Sequence, residues 1–246
     1  MKVYGLIGFP LSHSFSKKYF DNKFEKENIK NVSYKNFSIE NIKLFPKILN
    51  SEKNIKGFNV TSPYKLEIIP FLDKIDIAAK EIGAVNCVKV SFGKLIGYNT
   101  DVYGFVESLK KHLNKEVKSA LILGTGGAAK AVSYGLKTLD IKHKFVTSKI
   151  EKINNSTIHY SNLHSDIIKN NLLIINATPL GIFPNINEKP DISYRYVTSK
   201  HILFDLIYNP SETLFLKEGI KRNATSINGY EMLKLQAEKA WEIFNS

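Results

Sequence analysis

Residues 57–65 read GFNVTSPYK, which puts Asn59, Thr61, Ser62 and Lys65 at the end of an apolar run. A strand that only filled a core would not end on amides, hydroxyls and an ammonium. An ammonium can move a proton, while amides and hydroxyls hold a ligand's hydroxyl groups and carboxylate. Similar clusters close other segments: Ser14 and Ser16 in SHSFS, Asn86 in GAVN, and Asn99, Thr100 and Asp101 in GYNTD. One lysine and one aspartate among neutral donors and acceptors suit a small polyhydroxylated acid. Lys65 would move the proton, and Asp101 would orient it or share the work. Ser62, Asn99 and Thr100 also fit as caps and turn residues. Ser62 reads as an N-cap with Pro63 at the first helical position, which places Lys65 one turn into a helix.

A second constellation, GTGGAA (124–129), follows the apolar LILG and opens a small-residue stretch. Gly124 permits a tight turn, and Gly126 lets the backbone approach a pyrophosphate. Ala129 stands at the third position of a dinucleotide fingerprint. The helix start would add free amide donors and the positive end of its dipole. The next strand, HKFVTS, ends at Thr147, Ser148 and Lys149, with Lys152 close behind. Asp140 comes too early, and Glu151 too late, for the acidic ribose ligand of an NAD site. Hydroxyl and ammonium groups suit a 2′-phosphate instead, so NADP is the expected cofactor.

These groups need elements to position them, and the chain alternates strand-like and helix-like segments throughout, an α/β pattern. KVYGLI (2–7), VSYKNF (32–37) and IKGFNV (55–60) read as strands. Residues 14–28 repeat Phe15, Tyr19, Phe20 and Phe24 at helical spacing, and 39–49 read helical until Pro46. AVNCVKV (84–90) and KLIGYN (94–99) read as a strand pair turning at Phe92-Gly93, followed by a helix from Asp101 to Leu113. From 117 the strands become continuous apolar runs, at 143–148, 172–178 and 201–208. Strands buried on both faces of a parallel sheet read this way. Residues 228–244 form an amphipathic helix with Met232, Leu235, Trp241 and Phe244 on its apolar side. The main domain boundary falls near residue 100.

Composition narrows the classes. Of 246 residues 43% are hydrophobic, which supports packed cores. No run approaches 18 apolar residues, and the start turns polar too early for a secretory signal, so no membrane association is expected. The single Cys87 sits in an apolar run, excludes an internal disulfide and suits a reducing cytoplasm. The net charge of +12 is almost all lysine, with arginine only at Arg195 and Arg222. These charges spread along the chain without interleaved aromatics, so they describe a solvated surface that favours anionic small molecules rather than nucleic acid. The six histidines form no ligand-spaced pair, and no metal is expected.

GFPLSHSFS, GFNVTSPYK, GAVN, GYNTD, the GTGGA turn, NATPLG (176–181), FDLIYNP (204–210) and NGYEML..QA (228–237) together resemble, in order and spacing, the shikimate dehydrogenases. The resemblance runs over essentially the whole chain. It implies an N-terminal α/β domain for shikimate (1–100), a Rossmann-like NADP domain (101–210), and C-terminal helices (211–246) returning to the first domain. Carried over, Ser14 and Ser16 would bind the carboxylate, and Asn59, Thr61, Asn86 and Asp101 the hydroxyls. Lys65 would be the catalytic acid/base with Asp101 beside it, and Tyr208 and Gln236 would complete the pocket. Gly124, Thr125, Gly126, Gly127, Ala128, Thr147, Ser148, Lys149, Lys152, Leu206 and Gly229 would line the cofactor. The family's NADP loop usually carries an arginine where this chain has Ser148, so lysines would have to replace it. A quinate/shikimate dehydrogenase with broader substrate or NAD use is the nearest alternative. A non-catalytic sensor needs the ligand contacts but not the Lys65 and Asp101 pair. The expected partners are small molecules, and the expected assembly is a monomer or homodimer.

Overall fold

The structure, a computed structural model, describes residues 1–11 and 14–246. The chain divides into two compact units: Met1–Thr100 with Ala237–Ser246, and Asp101–Gln236.

The first unit runs β1 (Lys2–Gly8), α1 (Phe15–Lys26), β2 (Val32–Ser38), α2 (Phe45–Ser51), β3 (Ile55–Val60), β4 (Lys74–Ile75), α3 (Ile77–Ile82), β5 (Cys87–Ser91) and β6 (Lys94–Tyr98). They build a six-stranded mixed sheet in the order β2-β1-β3-β5-β6-β4. β1 lies parallel to both β2 and β3, whereas β5 runs antiparallel to β3 and β6. The β5–β6 hairpin turns at Phe92 (φ 50°) and Gly93 (φ 76°), two left-handed residues as a tight primed turn requires. Pro46 falls in the first turn of α2, where a missing N–H breaks no helical bond.

Both faces of this sheet are covered. Ile7, Phe45, Phe58, Ile68 and Val88 bury together on one side, with Phe45 edge-on to Phe58 at 5.4 Å. On the other, Tyr4, Phe20, Phe24, Tyr34 and Cys87 pack with Ala237, Ala240 and Phe244. Lys23 and Tyr19 of α1 both bond Glu238, tying the same C-terminal segment down. Cys87 is a buried thiol, as its apolar context predicts.

The expected helix after Ser62 does not form. Residues 62–68 are a chain of turns, joined by Tyr64 N–H to the Thr61 carbonyl and Ile68 N–H to the Tyr64 carbonyl, each at 3.0 Å. A short 3₁₀ turn, Ile69–Phe71, follows. Pro63 and Pro70 leave too few residues between them to repay helix nucleation, and Pro70 cannot donate the next helical bond.

The second unit runs α4 (Asp101–Lys110), β7 (Ser119–Leu123), α5 (Gly127–Thr138), β8 (Lys142–Thr147), β9 (Thr157–His159), α6 (Ser165–Asn170), β10 (Leu173–Asn176), β11 (Ile202–Asp205), α7 (Leu214–Ile220), β12 (Thr225–Ile227) and the start of α8 (Tyr230–Asn245). Its six strands are all parallel, in the order β12-β11-β10-β7-β8-β9. This is the doubly wound order, with the direction of winding reversing between β7 and β10. Phe105, Leu109, Val132, Leu136, Phe204 and Met232 fill one face, and Leu121, Leu123, Val146, Ile168, Leu203 and Phe215 the other. Residues 211–246 divide differently from the expected third segment. Because β12 joins the second sheet, everything through Gln236 belongs to the second unit, and only 237–246 belong to the first.

Candidate functional site

In the first unit, the C-terminal ends of β1 and β3 meet the loop before β5. Thr61 N–H donates to the Ile7 carbonyl at 2.9 Å, and Val60 N–H donates to the Asn86 carbonyl at 2.8 Å. Asn86 is buried, and its amide grips Thr100: Nδ2 donates to Oγ1 at 3.0 Å, while Oδ1 accepts the Thr100 N–H at 2.6 Å. Asn99 donates to the Ala84 carbonyl at 2.9 Å, as a turn residue does. Lys65 is half-buried, and its carbonyl accepts the Val85 N–H at 2.8 Å, so the segment after β3 is tied to the loop carrying Asn86.

Tyr34 of β2 was not singled out by sequence, yet it bonds one residue that was. Its phenol donates to Asn59 Oδ1 at 2.8 Å. Burial pushes the phenol well above its usual range, against the opposing effect of nearby Ser16, so it stays protonated. Asn59 Nδ2 is buried and without a hydrogen-bond partner among the described residues, and so is Ser14 Oγ. Buried polar atoms are normally paired, so these two stand out among the described residues, together with Ser33 Oγ and the Tyr160 hydroxyl. Ser12 and His13, inside the same motif, lie outside the described residues.

In the second unit, Gly124 to Ala128 turn from β7 into α5 beside the winding reversal. Gly124 has φ +107°, closed to ordinary side chains, and an added Cβ would sit 3.0 Å from the Ala177 carbonyl oxygen. Gly126 caps α5, and a Cβ there would meet nothing within 4 Å. The space beside the Gly126 Cα, at the start of the helix, is open. Lys152 Nζ reaches the Thr125 hydroxyl at 3.1 Å, linking the turn to the loop after β8. In that loop Ser148, Lys149 and Lys152 are exposed, but Thr147 is buried and its hydroxyl accepts the Lys149 N–H at 3.1 Å. Thr147 thus shapes the loop from within.

Leu206 and Gly229 are also neighbours. Gly229 N–H donates to the Ile207 carbonyl at 3.0 Å, and a Cβ on Gly229 would lie 2.1 Å from the Leu206 carbonyl oxygen. Only glycine permits that approach. The loop they share hangs on Asp205, a fully buried carboxylate. It accepts from Thr213 Oγ1 at 2.5 Å, Ile207 N–H at 3.0 Å and Asn176 Nδ2 at 3.0 Å. Asn176 Oδ1 in turn accepts from Thr178 N–H and its hydroxyl. Burial lifts Asp205 to about 6 despite these donors. Asp205 read as part of the apolar run 201–208, and only the structure places it at the end of β11. Asp101, Tyr208 and Gln236 stand in this unit too: Asp101 is buried at the start of α4, Tyr208 is half-buried, and Gln236 donates to the Leu233 carbonyl.

No helix of the described residues is long and apolar enough to cross a membrane, and no group of metal-ligating side chains gathers among them.

Residues 6–88 match the family model described as the shikimate dehydrogenase substrate binding domain. The shikimate dehydrogenase (NADP+) of Methanosphaera stadtmanae is 37% identical, over 98% of this chain and 90% of its own. That of Methanococcus aeolicus is 40% identical, over 99% and 91%. A crystal structure of a shikimate dehydrogenase in complex with NADP+ matches with a TM-score of 0.86 at 34% identity, covering 99% of this chain and 90% of that one. The chain belongs to the shikimate dehydrogenase family.

Proposed function

We propose that the chain catalyses the reversible, NADPH-dependent reduction of 3-dehydroshikimate to shikimate, a step toward chorismate and the aromatic amino acids. The observation that carries this reading is the pair of buried, unpartnered polar atoms, Ser14 Oγ and Asn59 Nδ2, in a chain of this family. They offer hydrogen bonds to a ligand that presents a carboxylate and hydroxyls.

Ser14 and Ser16 hold the carboxylate, and Asn59, Thr61, Asn86 and Asp101 the hydroxyls, with Tyr208 and Gln236 completing recognition. Lys65 is the acid/base. It gives its proton to the oxygen of the ring ketone as that oxygen becomes an alkoxide, and takes it back in the oxidative direction. Asp101 is the second member of the acid/base set. The open helix start behind Gly126 and the exposed Lys149 and Lys152 fit a dinucleotide carrying a 2′-phosphate, and Leu206 and Gly229 would flank it. When bound, NADPH supplies the hydride.

Ser148 favours one variation on this reading. Lysines present a point charge where a planar guanidinium would clamp the phosphate, so discrimination against NAD is weaker than an arginine would give. The test is absorbance at the nicotinamide band with shikimate and either NADP or NAD, and with quinate in parallel. Fast reduction of NADP with slower reduction of NAD is expected. Comparable rates with both cofactors, or on quinate, would assign a broader enzyme. No reduction by protein that still binds shikimate would remove catalysis from the reading.

A further inference from the structure

We infer that Tyr34 is a positioning residue for substrate recognition: its phenol sets the Asn59 amide so that nitrogen, not oxygen, faces the ligand. The inference rests on the substrate site proposed above. A free asparagine amide can rotate to present either atom, because the two ends are nearly equal in shape and the terminal torsion is soft. Tyr34 removes that freedom. Its O–H donates to Asn59 Oδ1 at 2.8 Å, and an amide turned the other way would forfeit that bond.

The ring cannot follow a rotated amide. It is 2% exposed, stacks on Phe20 at 4.5 Å, and sits in β2 opposite Tyr4 of β1. Asn59 Nδ2 is thereby left buried with no partner among the described residues. It is a donor kept in reserve, and the group that meets it is an acceptor, an alcohol oxygen of a polyhydroxylated ring. The donor is thereby oriented before the ligand arrives.

Tyr34→Phe keeps the buried ring and deletes only the hydroxyl. Steady-state kinetics should show KM for shikimate rising about 10-fold, with kcat within about 2-fold and KM for NADP unchanged, the scale of one buried hydrogen bond. In an Asn59→Ala background, adding Tyr34→Phe should change KM for shikimate no further, because Tyr34 acts only through that amide. Asn59→Asp keeps the Tyr34 bond but offers no donor, so its KM should rise at least as much as that of Tyr34→Phe. Unchanged KM in Tyr34→Phe or in Asn59→Asp would overturn the inference, as would an equal penalty in the Asn59→Ala background. Wild-type protein without shikimate turnover would remove the site reading and the inference together; wild-type turnover beside an unaffected Tyr34→Phe would remove the inference alone.

Discussion

The two units build their strand ends in opposite ways. In the first, side chains do the work: Asn59, Asn86, Thr100 and Tyr34 are buried, and their amides, hydroxyls and phenol are oriented by one another. In the second, the backbone does it, through the turn at Gly124, the open start of α5 and the close pass of Gly229 over Leu206. The mixed sheet brings different loops to one edge, so each reader comes from a different segment. The parallel sheet repeats one strand–turn–helix unit, and its ligand surface comes with the fold. A side-chain reader is specific and breaks one hydrogen bond at a time. A backbone cradle tolerates side-chain changes but not an added Cβ.

Substitutions can break or sharpen this contrast. Lys65→Ala should lower turnover by roughly 10²–10⁴ with a modest change in shikimate affinity, the range for a positioned acid/base. Near-normal kcat in steady-state assays would discard the assignment. Asp205→Asn tests a fully buried carboxylate of the backbone-built side. Its carboxyl titrates near 3.8 when unfolded and near 6 when folded, so the folded chain holds the proton more tightly between those values. Stability from this group therefore falls as pH rises from about 3 to 7, by about 3 kcal/mol in all. Denaturant melts across that window should show wild type losing stability relative to Asp205→Asn, and parallel curves would refute it.

A smaller effect is expected at Gly124→Ala. Its left-handed backbone should cost about 1–3 kcal/mol, seen as a lower Tm and a higher KM for NADP with shikimate binding intact. If shikimate affinity falls equally, the division of labour between the units is wrong. Smallest of all, Lys152→Gln should raise KM for NADP about 3–10-fold and leave KM for NAD alone, since it removes one exposed charge from the phosphate. Equal effects on both cofactors would mean that Lys152 serves the turn through Thr125 rather than the 2′-phosphate.

Much of this is legible in the amino-acid sequence. β1, β3, β7 and β10 announce themselves as apolar runs, and the glycine turn declares its strand and helix. Lys65 is legible as a residue but not its setting, because Ser62-Pro63 matches a helix start while Pro70, seven positions on, forbids the helix. α3 carries its own punctuation, with Asp76 accepting from the Ala78 N–H and Gly83 closing the end at φ 67°, yet its six residues are too few for periodicity to stand out. Tyr34 and Asp205 are invisible for another reason. Each looks like one more residue of a buried strand, and its role comes from partners far along the chain: Asn59 for Tyr34, Asn176 and Thr213 for Asp205.

The packing of Ala237, Ala240 and Phe244 against Tyr4, Phe20 and Tyr34 also bears on synthesis. A ribosome delivers residues 1–100 before 237–246, so one face of their sheet stays uncovered until 237–246 emerge. Residues 101–236 are contiguous and can close their own sheet in the meantime. The unit whose strands come earlier in the chain is the later to be completed. Until then its aromatic face, with Phe20 and Tyr34 at its centre, is the part of the nascent chain that a chaperone would find.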